Sequence, residues 1–518
     1  MTKGAKKGPF KGAKKGPLRV TVPSRNDAAA KSLVGAIGGP LGRRTAPGVV
    51  SPGFWRIERV LLVMVAVAGV IAIFTKTTCR VNGWADPYRY VGMCYSDWTA
   101  LWGARGFAET PLAPFDAAQT PFEYPAGMAI IASALAFLVP RSLEHRDQVL
   151  LYFDINAFFA VVLWAIVVIA VAKMSSRRIW DAAMVALSPA IILALTVNWD
   201  MWAVALMVTG LLAIAREHPW LGGILIGIGG AVKLFPLLLL GAFFTLAWRT
   251  RRWQVFGKIA GGAAIGWLVI NLPVILIDAK RWAVFYTFSS DRGAGFSSTW
   301  ELWNMTVGRA APELVVTADA ISVLGIIFFG FWCLFVLMLG LVAPRTPRVA
   351  QLAFLIIAMF VLIGKVYSPQ FVMWLVPLAV LAYPRWRALL VWQLFEVLHF
   401  VAIWMRLYSM TGPDKTSGFF PDWVFSLAVL GHIVSLGALI ILVIRCIFQP
   451  DEDPVRRVGL DDPLGGLFAS PEPASRTATS RATASLATAS SADSKGHTGE
   501  SSHTKESETL PVEKESHD

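Results

Sequence analysis

Long stretches with almost no charged side chain limit most strongly how this chain can fold. Five of them lie at 60–75, 149–172, 260–277, 321–343 and 423–444. A helix needs about 20 apolar residues to cross a bilayer core of about 30 Å, and only helices and closed barrels satisfy every backbone hydrogen bond there. The alternating strands of about ten residues that make a barrel do not occur. The pattern predicts an all-α polytopic integral membrane protein.

The composition agrees with this prediction. Of the 518 residues, 55% are hydrophobic and only 16% are charged, and the mean hydropathy is +0.57. Soluble domains typically carry about 25% charged residues, so a chain this poor in charge is expected to have an apolar surrounding.

Twelve apolar segments account for the central part of the chain. Three short connections between them are basic, at 249–258, 344–348 and 384–387, and are expected to be cytoplasmic. Both tails then also lie inside, and two long outer loops, 76–124 and 278–318, face the other side together with the connections 365–370 and 408–422. The segments are 57–75, 125–140, 149–172, 181–197, 200–215, 220–247, 259–277, 319–342, 349–364, 370–383, 388–407 and 423–446.

One connection conflicts with this twelve-span scheme. The basic sequence KMSSRRIW at 173–180 falls outside, against the positive-inside rule. An alternative scheme makes 125–140 re-entrant and divides 220–247 into two half-helices broken at Pro236. We prefer twelve spans, and both schemes keep the two long loops on the same outer side.

The two ends of the chain are predicted to be disordered cytoplasmic tails around a transmembrane domain at 55–446. The first 52 residues hold eleven Lys and Arg against one acid, Asp27, and repeat KGAKKGP. Such a tail cannot form a core, and it is expected to bind anionic lipid rather than nucleic acid. The C-terminal tail, 447–518, carries 13 acids and 7 Lys or Arg among Ser, Thr, Ala and Pro. The distance from Met1 to the first apolar run argues against an ordinary signal peptide.

Four cysteines are present, without a CxxC or Cys/His spacing typical of a metal site. We therefore predict no metal and no cofactor. Cys79 and Cys94 share the first long loop and can form a disulfide if that loop faces an oxidising compartment. Cys333 and Cys446 are predicted to be packing residues.

The first outer loop is too long and too aromatic for a passive connector. Its sequences WADPYRY, CYSDWTALWGARGF and PFEYP interleave aromatic rings with charges at Asp86, Arg89, Asp97, Arg105 and Glu123. Aromatic faces beside carboxylates suit a sugar, whose C–H surface stacks while its hydroxyls form hydrogen bonds. An interfacial aromatic belt explains the tryptophans but not the carboxylates.

The second outer loop has a similar character. Arg292 lies in a Gly/Ser-rich stretch between aromatic residues, where it can contact a phosphate or hydroxyl or simply pair with Asp291.

Polar residues inside apolar spans are costly and indicate function by default. Lys233 in GGAVKLFP lies well inside its segment, so an anionic partner is expected for it. Glu396 and His399 are three residues apart on one helix face and can form a satisfied interhelical pair. The other polar positions of this kind are Asn198-Trp199-Asp200, Lys365 and Tyr367 in KVYSPQ, and Arg406.

Four of these sequences, in this order, resemble a known family. SDWTALWGARG, PFEYP, GGAVKLFP and KVYSPQ are similar to elements of the actinobacterial polyprenyl-phosphate-mannose-dependent α-mannosyltransferases, glycosyltransferase family 87 of the GT-C superfamily. The resemblance covers about residues 55–445. Glu123 and the Asn-Trp-Asp triplet have no assigned counterpart in the family pattern.

The resemblance implies a GT-C-like bundle of about 12 helices in the plasma membrane, with the active site on the outer face. It implies a polyprenyl-phosphate sugar as donor, a cell-envelope glycolipid or polysaccharide as acceptor, and a catalytic Asp in the first outer loop. Asp97 matches that position, and Asp86 is the second choice. The residues expected to bind the donor phosphate or sugar are Lys233, Arg292, Lys365, Tyr367, Arg105, Glu123, Tyr124 and Trp98.

The expected chemistry is simple. A phosphate-linked sugar already carries a good leaving group, so one general base suffices and inversion follows. The departing phosphate needs positive charge, for which Lys233, Arg292 and Lys365 are available. Mannose rests on the resemblance alone, and arabinose or another sugar stays open, as does the acceptor. A lipid or sugar transporter or flippase, and a non-catalytic scaffold, are the competing interpretations.

Overall fold

The computed structural model describes residues 27–30, 32–33, 56–411 and 420–468. These residues form helices, turns and connections, with no β-strand in the part described. The predicted tail at 1–54 lies outside the described residues except for 27–30 and 32–33, and so does 469–518.

Within the described residues, nineteen α-helices follow one another from residue 57 onward. They are α1 (Ile57–Phe74), α2 (Thr77–Asn82), α3 (Tyr88–Val91), α4 (Asp97–Ala104), α5 (Ala126–Ala136), α6 (His145–Met174), α7 (Ala183–Ala186), α8 (Pro189–Ala194), α9 (Asp200–Ala215), α10 (Pro219–Val232), α11 (Leu239–Thr250), α12 (Trp253–Ile277), α13 (Ala279–Asp291), α14 (Thr299–Ala310), α15 (Ala318–Val342), α16 (Val349–Ile363), α17 (Val372–Ala382), α18 (Trp386–Thr411) and α19 (Asp422–Phe448).

Six of the described helices are long and apolar enough to cross a membrane: α1, α6, α12, α15, α18 and α19. Shorter apolar helices lie at or near the remaining predicted segments, which confirms the all-α polytopic fold class. The segment predicted at 181–197 is instead broken. Pro189 begins α8 there, and the Ser188 hydroxyl caps this helix by accepting a hydrogen bond from the Ile191 N–H.

The segment predicted at 220–247 is also divided. Helix α10 ends at Val232, Lys233 is extended with φ −154° and ψ 138°, and a 3₁₀ turn at Phe235–Leu238 leads into α11. Pro236 lacks an N–H, and its ring would clash with the carbonyl of Val232, four residues earlier. The break therefore falls at Lys233, three residues before the proline at which we expected it.

Helix α5 does not cross the bundle. Its 11 residues span about 16 Å, half of a bilayer core. The chain enters it after Tyr124 and Pro125 and then returns to the first long loop, where the Arg141 guanidinium donates hydrogen bonds to the carbonyls of Phe107 and Ala108. Segment 125–140 is thus re-entrant.

The connection 173–180 lies beside the other basic connections, so our preferred twelve-span scheme is wrong at this point. The Arg178 guanidinium donates to the carbonyl of Pro384 at 3.4 Å and to that of Pro454 at 3.3 Å. We call this end of the bundle the basic end. The opposite end, where Arg281 of α13 donates to the Gln119 carbonyl and so joins the two long loops, is called the loop end. A re-entrant α5 and a divided 220–247 remove the conflict with the charge rule.

Residues 450–468 fold onto the basic end, so the prediction that the whole of 447–518 is disordered is wrong for this part. Asp453 is fully buried, and its carboxylate accepts hydrogen bonds from the Arg348 guanidinium at 2.7 and 3.1 Å. The Asp462 carboxylate accepts the Val349 N–H that begins α16. Composition alone cannot predict these contacts, because they join residues that are 105 and 113 positions apart in the chain.

The topology predicts which positions share one side of the membrane. In a Cys333→Ser/Cys446→Ser background, Lys173→Cys and Arg345→Cys are expected to react with a membrane-impermeant maleimide from the same side. Glu109→Cys is expected to react only from the opposite side, because it belongs to the first long loop. Labelling of intact and of opened cells checks this. Reaction of Lys173→Cys together with Glu109→Cys would restore the twelve-span scheme.

Candidate active site

Asp97 is the first residue of α4 at the loop end, and backbone contacts fix it there. Its N–H donates to the Val197 carbonyl at 2.7 Å, which joins the first long loop to the segment just before α9. The carboxylate is partly buried.

Two further ties hold the loop that carries Asp97. A disulfide joins Cys79 to Cys94. The ammonium of Lys76, fully buried, donates to the carbonyls of Met93 and Leu193 at 3.2 and 3.3 Å. Burial lowers the pKa of Lys76 to about 7. These ties hold the segment of the loop that leads into Asp97.

Hydroxyl groups surround the Asp97 carboxylate. The Tyr124 hydroxyl donates to its Oδ2 at 2.6 Å, and the Tyr95 side chain also forms a hydrogen bond with it. Arg105, at the end of α4, holds Glu123 through two bonds of 2.6 and 2.8 Å. Because Glu123 precedes Tyr124, this bidentate pair fixes the distance between the helix of Asp97 and the tyrosine that contacts it.

The second part of the site is an ion pair at the helix break. The Lys233 ammonium lies 2.5 Å from Oδ1 of Asp200, whose side chain is fully buried at the start of α9. Lys233 also lies 5.2 Å from the ring centroid of Tyr124, 5.7 Å from that of Phe371 and 5.8 Å from that of Trp374. Aromatic faces at these distances attract a cation.

A close approach of two backbones brings the parts together. A Cβ atom on Gly127 of α5 would lie 2.8 Å from the backbone of Ala231. Only glycine allows this approach, and it places Tyr124 beside Lys233. Tyr124 thus contacts the carboxylate of Asp97 with its hydroxyl and the ammonium of Lys233 with its ring.

The surroundings adjust the acidity of the groups at the loop end. Burial raises the pKa of Asp97, while its hydrogen bonds to Tyr124 and Tyr95 and the charge of Lys233 act in the opposite direction. Burial, and then the Asp97 charge, raise the pKa of Tyr124 well above its usual range. The arrangement gives a basic carboxylate that accepts hydrogen bonds from protonated tyrosines.

Asp86 and Trp98 lie elsewhere. Asp86 pairs with Arg89 at 2.6 Å, and its side chain is 53% exposed. Trp98 is buried, and its ring packs against Phe153 and Trp199, so it supports the site as a packing residue. Of the two aspartates proposed for the base, only Asp97 has Tyr124 and Lys233 beside it.

Arg292 and Lys365 meet at the end of α13. The Lys365 ammonium donates to the carbonyls of Ser290 and Arg292 at 2.6 and 3.2 Å and thereby caps this helix. Arg292 is exposed. A contact of either side chain with the donor phosphate stays a prediction.

Tyr367 belongs to a different, fully buried cluster. Its hydroxyl donates to Glu396 at 2.8 Å, and its ring stacks on His432. Glu396, His399 and His432 offer ligand atoms within 4.8 Å of one another and so could hold a metal ion. The two imidazole rings stack at 4.0 Å with planes 21° apart, whereas one ion must lie near the plane of each ring it binds. As arranged, the cluster suits hydrogen bonding better than metal binding.

A cavity of about 550 Å³ opens beside the candidate site. Tyr95 and Ser96 line it next to Asp97, and Trp84, Arg89 and Arg146 line its other walls. Its mixture of aromatic and cationic side chains suits a sugar-bearing molecule.

Two residues of the candidate site, Asp200 and Tyr95, are not among those predicted from the sequence. Asp200 interrupts an apolar stretch, and this is the signal by which it can be identified as the anionic partner expected for Lys233. Tyr95 offered no signal beyond its position two residues before Asp97, because only the fold turns its side chain toward the carboxylate.

The ion pair makes a prediction about the stability of the folded protein. Lys233→Met leaves the buried Asp200 carboxylate without its cation, so unfolding should cost about 3–5 kcal/mol less. Lys233→Met/Asp200→Leu should recover most of that stability, because both charges are gone. The apparent melting temperature of purified protein measures the effect. Equal melting temperatures for wild type and Lys233→Met would contradict the pairing.

One known protein family matches the region that holds most of these site residues. Residues 122–364 match the sequence model of glycosyltransferase family 87, a region that contains Tyr124, Asp200 and Lys233 and begins after Asp97. A comparison with curated proteins found no match.

Among solved structures, the archaeal oligosaccharyltransferase AglB from Archaeoglobus fulgidus, in complex with an inhibitory peptide and a dolichol-phosphate, is similar at 13% identity and a TM-score of 0.34. The similarity covers 76% of this chain and 56% of that one, so the chain spans little more than half of its length. The match to glycosyltransferase family 87 thus covers residues 122–364, a little under half of the chain, and the described part of the chain includes six helices long and apolar enough to cross a membrane.

Proposed function

We propose that this enzyme transfers a sugar, mannose by the family resemblance, from a polyprenyl-phosphate donor to a hydroxyl of a cell-envelope glycolipid or polysaccharide. Asp97 is the general base. The observation that carries the proposal is a partly buried carboxylate bonded to tyrosine hydroxyls, beside a lysine that is paired with a different carboxylate.

The reaction balances with one base. The acceptor oxygen attacks the anomeric carbon, and Asp97 takes the proton of that hydroxyl. The bond between the anomeric carbon and the phosphate oxygen breaks, and the lipid phosphate leaves with the electron pair. Attack opposite the leaving group inverts the configuration, so a β-linked donor gives an α-linked product.

Lys233 is placed to assist the leaving phosphate. An ammonium has three donors, and Asp200 engages one side of it, which leaves donors for phosphate oxygens. In the transition state, negative charge develops on the phosphate oxygen that leaves the anomeric carbon. A fixed cation beside that oxygen therefore lowers the barrier. The rings of Phe371 and Trp374 line the approach with apolar surface suited to a prenyl chain.

The loop end is proposed to face the outside of the cell. The basic connections gather at the opposite end, and Lys and Arg in short connections favour the cytoplasm. Both termini would then be cytoplasmic, with donor and acceptor meeting at the outer face.

Asp97→Asn tests the base. The amide cannot accept the hydroxyl proton, so sugar transfer from radiolabelled polyprenyl-phosphate-mannose should fall about 10²–10⁴-fold with little change in KM. Asp86→Asn, which alters only an exposed pair with Arg89, should keep near wild-type activity. If Asp86→Asn is inactive and Asp97→Asn is active, the base is misassigned. If the wild type transfers no sugar from any polyprenyl donor, the proposed function fails.

The pH profile tests the role of Tyr124. The base works when deprotonated, so activity should fall as the pH drops through the raised pKa of Asp97. Tyr124→Phe removes a hydrogen bond that lowers this pKa, so the acidic limb of kcat/KM should move to higher pH. Tyr286→Phe, at a surface position of α13, should leave the limb in place. An acidic limb that moves to lower pH in Tyr124→Phe would contradict the assignment.

A further inference from the structure

An apolar groove lies between α18 and α19 at the basic end. The two helices touch where a Cβ on Gly431 would meet the Phe395 ring at 2.7 Å, and toward the basic end they leave a cavity of about 610 Å³. Val391, Val434 and Ala438 line it and are exposed, so in a membrane this groove opens to lipid.

Arginines close the polar end of the groove. Arg385 and Arg387 line it just where α18 begins. Arg385 also lines an adjoining cavity of about 210 Å³, together with Trp386 and Arg457. Within the described residues, none of these three arginines forms an ion pair, and Nε of Arg385 and Nε1 of Trp386 have no hydrogen-bond partner.

The local charge is positive. Asp27 is the one acid that lines both cavities, and its carboxylate already accepts the N–H groups of Ala29 and Ala30. Arg178, on the wall of the smaller cavity, is matched by Asp181. Three arginines therefore face one acid that is engaged with its own backbone.

We propose that this groove binds an anionic phospholipid. The acyl chains lie along Val391, Val434 and Ala438, and the phosphate lies between Arg385 and Arg387 at the start of α18. Guanidinium groups bind phosphate oxygens through paired N–H donors, and the first turn of a helix adds free N–H groups. This charge complementarity selects a lipid with a net negative headgroup over a zwitterionic one.

The site is separate from the reaction. Arg385 follows Pro384, whose carbonyl bonds Arg178 at the basic end, whereas Asp97 lies at the loop end. A donor lipid held in this groove would have its phosphate at the wrong end of the bundle. The inference therefore stands without the proposed function.

Lipid binding to the full chain tests the proposal. Native mass spectrometry of the protein in detergent, titrated with phosphatidylglycerol or phosphatidylcholine of the same acyl chains, gives both affinities. We expect phosphatidylglycerol to bind at least tenfold more tightly. Arg385→Gln/Arg387→Gln should weaken it about 25-fold, about fivefold per arginine, with little effect on phosphatidylcholine.

Two controls make the result decisive. Lys173→Gln/Arg345→Gln removes two charges from exposed positions of the same end and should change neither affinity by more than about twofold. Ala438→Trp fills the exposed groove and should weaken both lipids alike. Equal binding of the two lipids by the wild type, as expected if the chain's own acidic tail filled the groove, overturns the proposal. The proposal is also overturned if the Lys173/Arg345 variant and the Arg385/Arg387 variant lose the same amount of affinity for phosphatidylglycerol.

Discussion

The ion pair between Lys233 and Asp200 is the interaction on which the rest of the site depends. Burial of one charge alone is costly, so each side chain requires the other. Lys233 ends a broken helix and Asp200 begins another, and their pairing fixes the relative positions of α9 and α10. Tyr124 then packs its ring on the paired lysine and directs its hydroxyl to Asp97.

Helix ends supply the central polar groups of the site for a physical reason. A continuous helix in a membrane satisfies its own backbone and presents mostly apolar side chains, so polar chemistry collects where helices begin, end or break. Asp97 and Asp200 are first residues of helices, Lys233 follows the last residue of one, and Tyr124 precedes a re-entrant helix. The breaks cost regular hydrogen bonds, and the ion pair and the close contact at Gly127 offset that cost.

This origin explains what the sequence could predict. Charge-free runs located the apolar helices to within a few residues, because transfer into lipid depends on local composition. The side of the membrane on which 173–180 lies could not be predicted from its local composition, because it depends on whether segment 125–140 crosses the membrane. Lys233, Asp97 and Tyr124 could be chosen as unusual residues, but the pairing of Arg105 with Glu123 could not be predicted, and a contact of either with substrate stays a prediction. Which charge neutralises which is a property of the fold.

The proposed reaction depends on which partner each of the two aspartates has. If Lys233 paired with Asp97, the base would be stabilised as an anion and would be a weaker proton acceptor. Asp200 instead takes the lysine, and Asp97 keeps tyrosine hydroxyls, which orient the carboxylate without supplying a full positive charge. One carboxylate thus holds the cation for the leaving phosphate while the other remains available for the acceptor proton. In the proposed reaction, two aspartates and one lysine serve both halves of the transfer, because each aspartate is committed to only one of them.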